Sequence, residues 1–179
     1  MDFFEVVKNR HSIRAYKPTP VEPEKLRQLM EAVRLAPSAR NRQPWKFIVV
    51  TDKERIRRIY EATKGQDFVL QAPVVIAAVA YPTDYINTNG NIAHFVDLGI
   101  AGEHLALACT ALGLGACWVV AFNQDKMKAA LEVPEDAHVV AIFPIGYPDE
   151  VPEIKERKPL SEIVYAENGA ATLLIGLNC

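Results

Sequence analysis

Cysteine is scarce in this chain of 179 residues: there are three, Cys109, Cys117 and Cys179. Three unevenly spaced thiols exclude a disulfide framework and a four-thiolate metal centre. They fit a reduced, cytoplasmic setting. The opening Met1-Asp2-Phe3-Phe4-Glu5 lacks the basic-then-apolar order of a secretory signal. Long apolar runs are missing too. The best candidate for a membrane span, residues 92–112, is interrupted by Asp97, Glu103 and His104, which are costly at membrane depth. A basic excess is absent, with net charge −2 and a pI near 6.1, which argues against a general nucleic-acid binder. Neither a membrane nor a nucleic acid is therefore expected as a partner. No Gly-x-Ser-x-Gly nucleophile elbow occurs. Gly113-Leu114-Gly115 lacks the third glycine of a dinucleotide fingerprint and lies after a helix rather than after a strand. His94, Asp97, Glu103 and His104 share one expected helix but match no familiar ligand spacing, so no metal site is expected.

What is present is apolar material for one ordinary domain, at 50% hydrophobic residues. Phe3, Phe4 and Val7 place an apolar stripe on a short N-terminal helix. Leu26, Leu29, Met30 and Val33 recur at helical spacing, so residues 23–35 read as an amphipathic helix that stops before Pro37. Phe47 to Thr51 reads as a strand, Asp52 as a helix cap with Ile56, Ile59 and Tyr60 facing inward, and Val74 to Ala80 as a second strand. Residues 82–91 read as a polar loop. Residues 92–112 form the longest expected helix, about 30 Å at the usual rise. It is apolar around almost its whole circumference, which requires burial on all sides. A domain this small rarely surrounds such a helix alone, so a second subunit is expected against it; the alternative is a monomeric core helix. Gly113 and Gly115 end it. Ala116 to Ala121 reads as a third strand, Asn123 as the cap of a helix with Met127, Ala130 and Leu131 inside, and Val139 to Ile145 as a fourth strand. Residues 149–162 read as extended over the surface, and Ile163-Val164-Tyr165 as an added edge strand. The apolar residues 172–179 either pack on the domain or reach over a partner.

Positive charge, though not in excess, is concentrated. Arg10-His11-Ser12-Ile13-Arg14, Pro37 to Trp45 and Lys155-Glu156-Arg157-Lys158-Pro159 are three short cationic segments far apart in sequence. Arginine suits phosphate because its planar fork donates in pairs and stays charged. If residues 10–14 run extended, Arg10, Ser12 and Arg14 share one face. Alone, the segment reads as a solvated basic turn rather than as a site. The second segment combines two prolines, Asn41, Gln43 and Trp45 in a restricted loop of the kind that lines sites. Asn41 and Gln43 could instead pin the turn, and Trp45, next to a strand, reads as core. Together the three point to a pocket for an anionic, flat, polar-edged ligand such as a phosphorylated ring cofactor. Cys109 and Cys117 lie in apolar runs and read as inert core thiols.

Taken in order, these segments resemble the nitroreductase family of FMN flavoproteins. The resemblance rests on Arg10-x-Ser12-x-Arg14 after a short helix, on Ala36-Pro37-Ser38-Ala39-Arg40-Asn41-Arg42-Gln43-Pro44-Trp45 and on Gly113 to Trp118 after a long helix. Pro144-Ile145-Gly146-Tyr147-Pro148 and Lys155-x-Arg157-Lys158-Pro159 complete it. It spans residues 3 to about 164. It implies an α+β fold, three-layer α/β/α with a mixed, largely antiparallel central sheet, in a domain-entwined homodimer with FMN at the subunit interface. Residues 1–165 would be the FMN-binding domain and 166–179 a C-terminal tail without an assigned role. By position, Arg10, Ser12, Lys155 and Arg157 resemble phosphate and ribityl ligands, and Arg14 the cation at the flavin pyrimidine edge. Pro37, Ser38, Ala39 and Asn41 resemble the loop that lines the flavin from the partner subunit. Trp118 and Val119 resemble the segment whose backbone approaches the reactive nitrogen of the ring. Gln66 sits where some relatives place a polar flavin contact, and His11 either joins the phosphate pocket or stays on the surface.

The activity implied is ping-pong hydride transfer from NADH or NADPH, through FMN, to small electron-poor acceptors such as nitroaromatics or quinones. A fixed guanidinium at the pyrimidine end would stabilise the charge of the reduced flavin. Other flavin chemistry on the same scaffold, dehalogenation or flavin fragmentation, is an alternative. So is a binding module that holds a phosphorylated metabolite without redox chemistry.

Overall fold

The computed structural model describes residues 1–81, 84–150, 152 and 155–165. Four strands form one sheet: β1 (Trp45–Val50), β2 (Val74–Ala80), β3 (Gly115–Ala116) and β4 (His138–Gly146). Their order is β1-β2-β4-β3, and each ladder is antiparallel. A parallel bridge from Ser12 to Ala116 adds the mixed character.

Strand β2 is buried along its whole length, as an all-apolar strand flanked by layers on both faces must be. Its side chains alternate between two cores. Val74, Ile76, Ala78 and Ala80 pack with Leu29 and Val33 of α2 (Pro23–Arg34) and with Leu98 and Leu105 of α5 (Ala93–Ala111). Val75, Ala77 and Val79 pack with Ile56 and Ile59 of α3 (Lys53–Ala62) and with Met127 and Leu131 of α6 (Gln124–Leu131). The fold is thus the expected α+β, three-layer arrangement, with helices on both faces of a largely antiparallel sheet.

The helix ends follow local chemistry. Asp2 and Glu5 form a reciprocal capping box on α1 (Phe3–Asn9). Asp52 and Asn123 accept N3 backbone N–H groups on α3 and α6. Helix α5 ends in a Schellman pair, with the Leu114 N–H bonded to the Cys109 carbonyl and the Gly113 N–H to that of Thr110. The left-handed φ of +72° at Gly113 closes it. Two short helices complete the set, α4 (Phe68–Gln71) and α7 (Leu160–Ile163).

Two expectations are corrected. Ala116–Ala121 is not one strand: pairing stops after Ala116 and resumes only as an isolated bridge from Val119 to Ile142. The interruption falls at Trp118, whose ring stacks edge-on against Phe143 at 4.7 Å. The expected edge strand over 163–165 is reduced to a bridge at Tyr165, because Leu160–Ile163 closes a helical turn with the Val164 N–H bonded to the Leu160 carbonyl. The stripe on α1 faces outward: Val6 is buried while Phe3, Phe4 and Val7 are exposed. Helix α5 is buried on one side only, leaving Phe95, Val96 and Ile100 open. The α1 and α5 helices pack together. No helix among the described residues is long and apolar enough to cross a membrane. The tail 166–179, including Cys179, lies outside the described residues.

Candidate functional site

The segment after α1 runs as an added strand. Ile13 N–H donates to the Ala116 carbonyl at 3.0 Å, Lys17 N–H to that of Tyr147 at 2.9 Å, and Asp149 N–H to that of Ala15 at 2.9 Å. Ile13 and Tyr16 point inward and are buried. Gly115 makes room for Ile13, since a Cβ there would lie 2.5 Å from the Ile13 side chain. The Tyr16 hydroxyl lies 2.6 Å from the Ile13 carbonyl and 2.9 Å from that of Pro144. Burial pushes its pKa far up, so the phenol stays protonated and pins the segment as a donor. Arg10, Ser12 and Arg14 are left on the accessible side.

There they meet the chain returning after β4. Arg10, His11, Ser12, Arg14, Lys155 and Arg157 line one cleft of about 230 Å³. The opposing charge is Glu150, which also lines the cleft and accepts the Arg14 backbone N–H at 2.5 Å. Four cations around one carboxylate make a site for a multiply charged anion. Arg157 is oriented by a bond from its guanidinium to the Lys155 carbonyl at 3.0 Å. Arg10 lies 3.9 Å from Glu103 on α5. A second cavity of about 210 Å³ shares Arg10, His11 and Ser12 and continues to Trp118 and Phe143. The charged cleft therefore grades into an aromatic one. The Trp118 ring lies flat enough on α5 that a Cβ at Gly102 would fall 2.3 Å from it.

The remaining expected residues lie apart. Val119 is buried, and its N–H and carbonyl are both paired with Ile142 at 3.0 Å. Gln66 lies beyond the far end of the 115–122 segment, near the bridge from Thr63 to Phe122, with its N–H on the Thr63 hydroxyl. Pro37, Ser38, Ala39 and Asn41 belong to a loop that does not line either cavity. Arg40, Asn41 and Gln43 in that loop have left-handed φ values of +53°, +55° and +51°. Such a conformation costs about 1–2 kcal/mol for each residue with a side chain. Local bonds hold it: Gln43 N–H to the Ser38 hydroxyl at 2.9 Å, and the Gln43 side-chain amide to Asn41 at 3.0 Å. Asn41 and Gln43 thus pin the turn, and Trp45 packs on the core. Burial raises the pKa of the Cys109 and Cys117 thiols, against a smaller opposing effect of Arg14 on Cys117.

Sequence reasoning did not anticipate Glu150, Tyr16 or the structural use of Asp97, which accepts the Ala39 N–H at 2.9 Å. For Asp97 a signal existed, an acid between Val96 and Leu98 in a largely apolar helix. For Glu150 no local pattern marks it among its charged neighbours.

A three-layer α+β domain with a cationic cleft opening onto an aromatic cavity defines a class of proteins that bind anionic ring-bearing ligands. The chain belongs to the nitroreductase family, whose model matches residues 7–66 and 60–147. A relative in Bacillus subtilis, "FMN reductase [NAD(P)H]", is 33% identical over 183 residues, covering 91% of this chain and 74% of that one. Two solved structures share the fold. A nitroreductase family protein of Clostridium difficile 630 has a TM-score of 0.85 at 34% identity, covering 94% of this chain and 99% of that one. An FMN-dependent nitroreductase of Clostridium difficile R20291 has a TM-score of 0.81 at 30% identity, covering 93% and 99%.

Proposed function

We propose that this protein is an FMN-dependent NAD(P)H oxidoreductase that passes hydride in two separate half-reactions to electron-poor acceptors such as nitroaromatics or quinones. The observation that carries the reading is the convergence of Arg10, Ser12, Arg14, Lys155 and Arg157 on one cleft beside the cavity of Trp118. These residues fit the cofactor: three cations for its phosphate, a fourth for its pyrimidine edge, a hydroxyl for its ribityl chain, and aromatic surface for its ring. Arg10, Ser12, Lys155 and Arg157 would hold the phosphate end, with His11 beside them. Arg14 would stand at the pyrimidine edge and favour negative charge there. Trp118 would flank the ring, and Val119, its backbone already paired, would contribute shape. Bound flavin supplies the hydride chemistry itself.

A second copy completes the site in this reading. The exposed apolar residues Phe3, Phe4, Phe95 and Val96 offer it a surface. The partner would bring its own Pro37, Ser38, Ala39 and Asn41 to the flavin, and Gln66 would stand at the periphery. The protein would work as a cytoplasmic homodimer.

The test is an absorbance spectrum of the purified protein, repeated under anaerobic conditions with NADH and with NADPH. A flavin spectrum bleached by either nucleotide is the expected result and identifies the donor. A colourless protein that takes up no added FMN would overturn the reading and favour a non-redox module for a phosphorylated metabolite. A monomer at working concentration would overturn the two-subunit site.

A further inference from the structure

We infer that Asp97 is a positioning residue that anchors the 37–44 loop to helix α5 and so sets how tightly the cofactor is held, although Asp97 does not face either cavity. The inference rests on the proposed flavin function and adds a residue to it.

Asp97 is 2% exposed, in the second turn of the largely apolar helix α5. Among the described residues it has no ion-pair partner. Its Oδ1 accepts one hydrogen bond, from the Ala39 N–H at 2.9 Å, and its Oδ2 has no hydrogen-bond partner. A buried carboxylate with one donor is costly, and an apolar side chain of similar volume usually packs as well or better. Packing therefore does not account for an acid here. The bond to Ala39 does.

That bond joins segments 58 residues apart in sequence. On the loop side it falls on the residue just before the left-handed pair Arg40 and Asn41. The bonds within the loop fix its shape but not its place. Ser38 accepts from Gln43, Asn41 N–H reaches the Ser38 carbonyl, and Arg42 N–H reaches that of Ala39. The Asp97 bond is the hydrogen bond that ties the left-handed stretch to α5. On the helix side Asp97 directly follows the exposed Val96 and precedes Ile100 by one turn. The helix that presents an apolar surface for a second copy thus also holds the loop that would line that copy's flavin. A charge-assisted acceptor holds an N–H more firmly than a neutral one.

Three variants test this, with two readouts: hydrogen exchange at the Ala39 amide and the dissociation constant for added FMN. Asp97→Leu fills the site without an acceptor. It should speed exchange at Ala39 at least tenfold and weaken FMN about tenfold, the loss of one charge-assisted bond. Asp97→Asn keeps an oxygen at the same place and should stay within about threefold of the parent in both readouts. Ala39→Pro removes the donor from the loop side and keeps the side chain at 97, so it tests the bond even if Asp97→Leu does not fold. It should weaken FMN by a similar factor, and combining it with Asp97→Asn should add nothing. Unchanged exchange at Ala39 in Asp97→Leu would overturn the anchor. So would equal FMN losses in the Asn and Leu variants, or normal FMN binding by Ala39→Pro. A parent protein that binds no FMN would defeat the flavin reading instead, while exchange at Ala39 would still report on the anchor.

Discussion

The cationic cleft and the 37–44 loop carry similar side chains, arginines with hydroxyl and amide groups between them, yet the fold uses them in opposite ways. In the cleft an extended segment turns Ile13 and Tyr16 inward and leaves Arg10, Ser12 and Arg14 outside. Among the described residues the side chains of Arg14 and Lys155 make no hydrogen bond or ion pair. In the loop the polar groups bind each other. The Ser38 hydroxyl and the amides of Asn41 and Gln43 are all engaged. Arg42 and Arg40 lie over the Tyr85 ring at 4.4 and 5.9 Å. In the cleft Arg157 is oriented by the Lys155 carbonyl and Arg10 lies near Glu103, while in the loop the polar side chains hold one another. Under the proposed function the cleft takes an outside anion and the loop serves as a wall.

The strongest way to break this contrast is to remove one cation from each region. Arg157→Ala should weaken FMN binding about ten- to a hundredfold, because a charge-assisted phosphate contact contributes about 1.5–3 kcal/mol. Arg40→Ala should change it by less than about threefold, since an exposed cation over a ring contributes about 0.5–1 kcal/mol. Titration of both variants by quenching of flavin fluorescence checks the pair. Equal losses would abolish the distinction between ligand-binding and wall-forming arginines.

The two regions also differ in how far the sequence discloses them. Strand β2 matches its expected limits, Val74 and Ala80, because Pro73 and an unbroken apolar run mark it unambiguously. Asp52 and Asn123 cap the expected helices, since capping is a local event. Alternation alone put Arg10, Ser12 and Arg14 on one side of the chain. The failures are long-range. Glu150 reaches Arg14 across 136 residues and Asp97 reaches Ala39 across 58, distances over which no periodicity speaks. Ala116 to Ala121 has strand composition, but the packing of Trp118 on Phe143 and over Gly102 interrupts its ladder. Phe3, Phe4 and Val7 form the expected stripe, and all three are exposed.

A smaller effect sharpens the account of the wall. Ser38→Ala deletes the acceptor of the Gln43 N–H while Gln43 keeps its left-handed backbone. The expected cost is about 0.5–1.5 kcal/mol of stability, the net worth of a neutral hydrogen bond, read from the urea midpoint. Anion binding in the cleft should not change. A loss of phosphate affinity with normal stability would mean that the loop reaches the ligand with its hydroxyl rather than through its shape.

The smallest effect concerns Glu150, the one acid lining the cleft among the described residues. Glu150 accepts the Arg14 backbone N–H and lines the same cavity as the four cations. Its charge therefore opposes any bound phosphate, while its hydrogen bond helps to hold the segment that carries Arg14. Glu150→Gln separates these two roles, because the amide oxygen can still accept the N–H. If the charge dominates, FMN should bind about two- to fivefold more tightly, the scale of an exposed charge interaction. The gain should shrink as salt screens it. Weaker binding that is insensitive to salt would show that the hydrogen bond to Arg14 dominates. The cleft would then resemble the loop in depending on an internal bond for its shape.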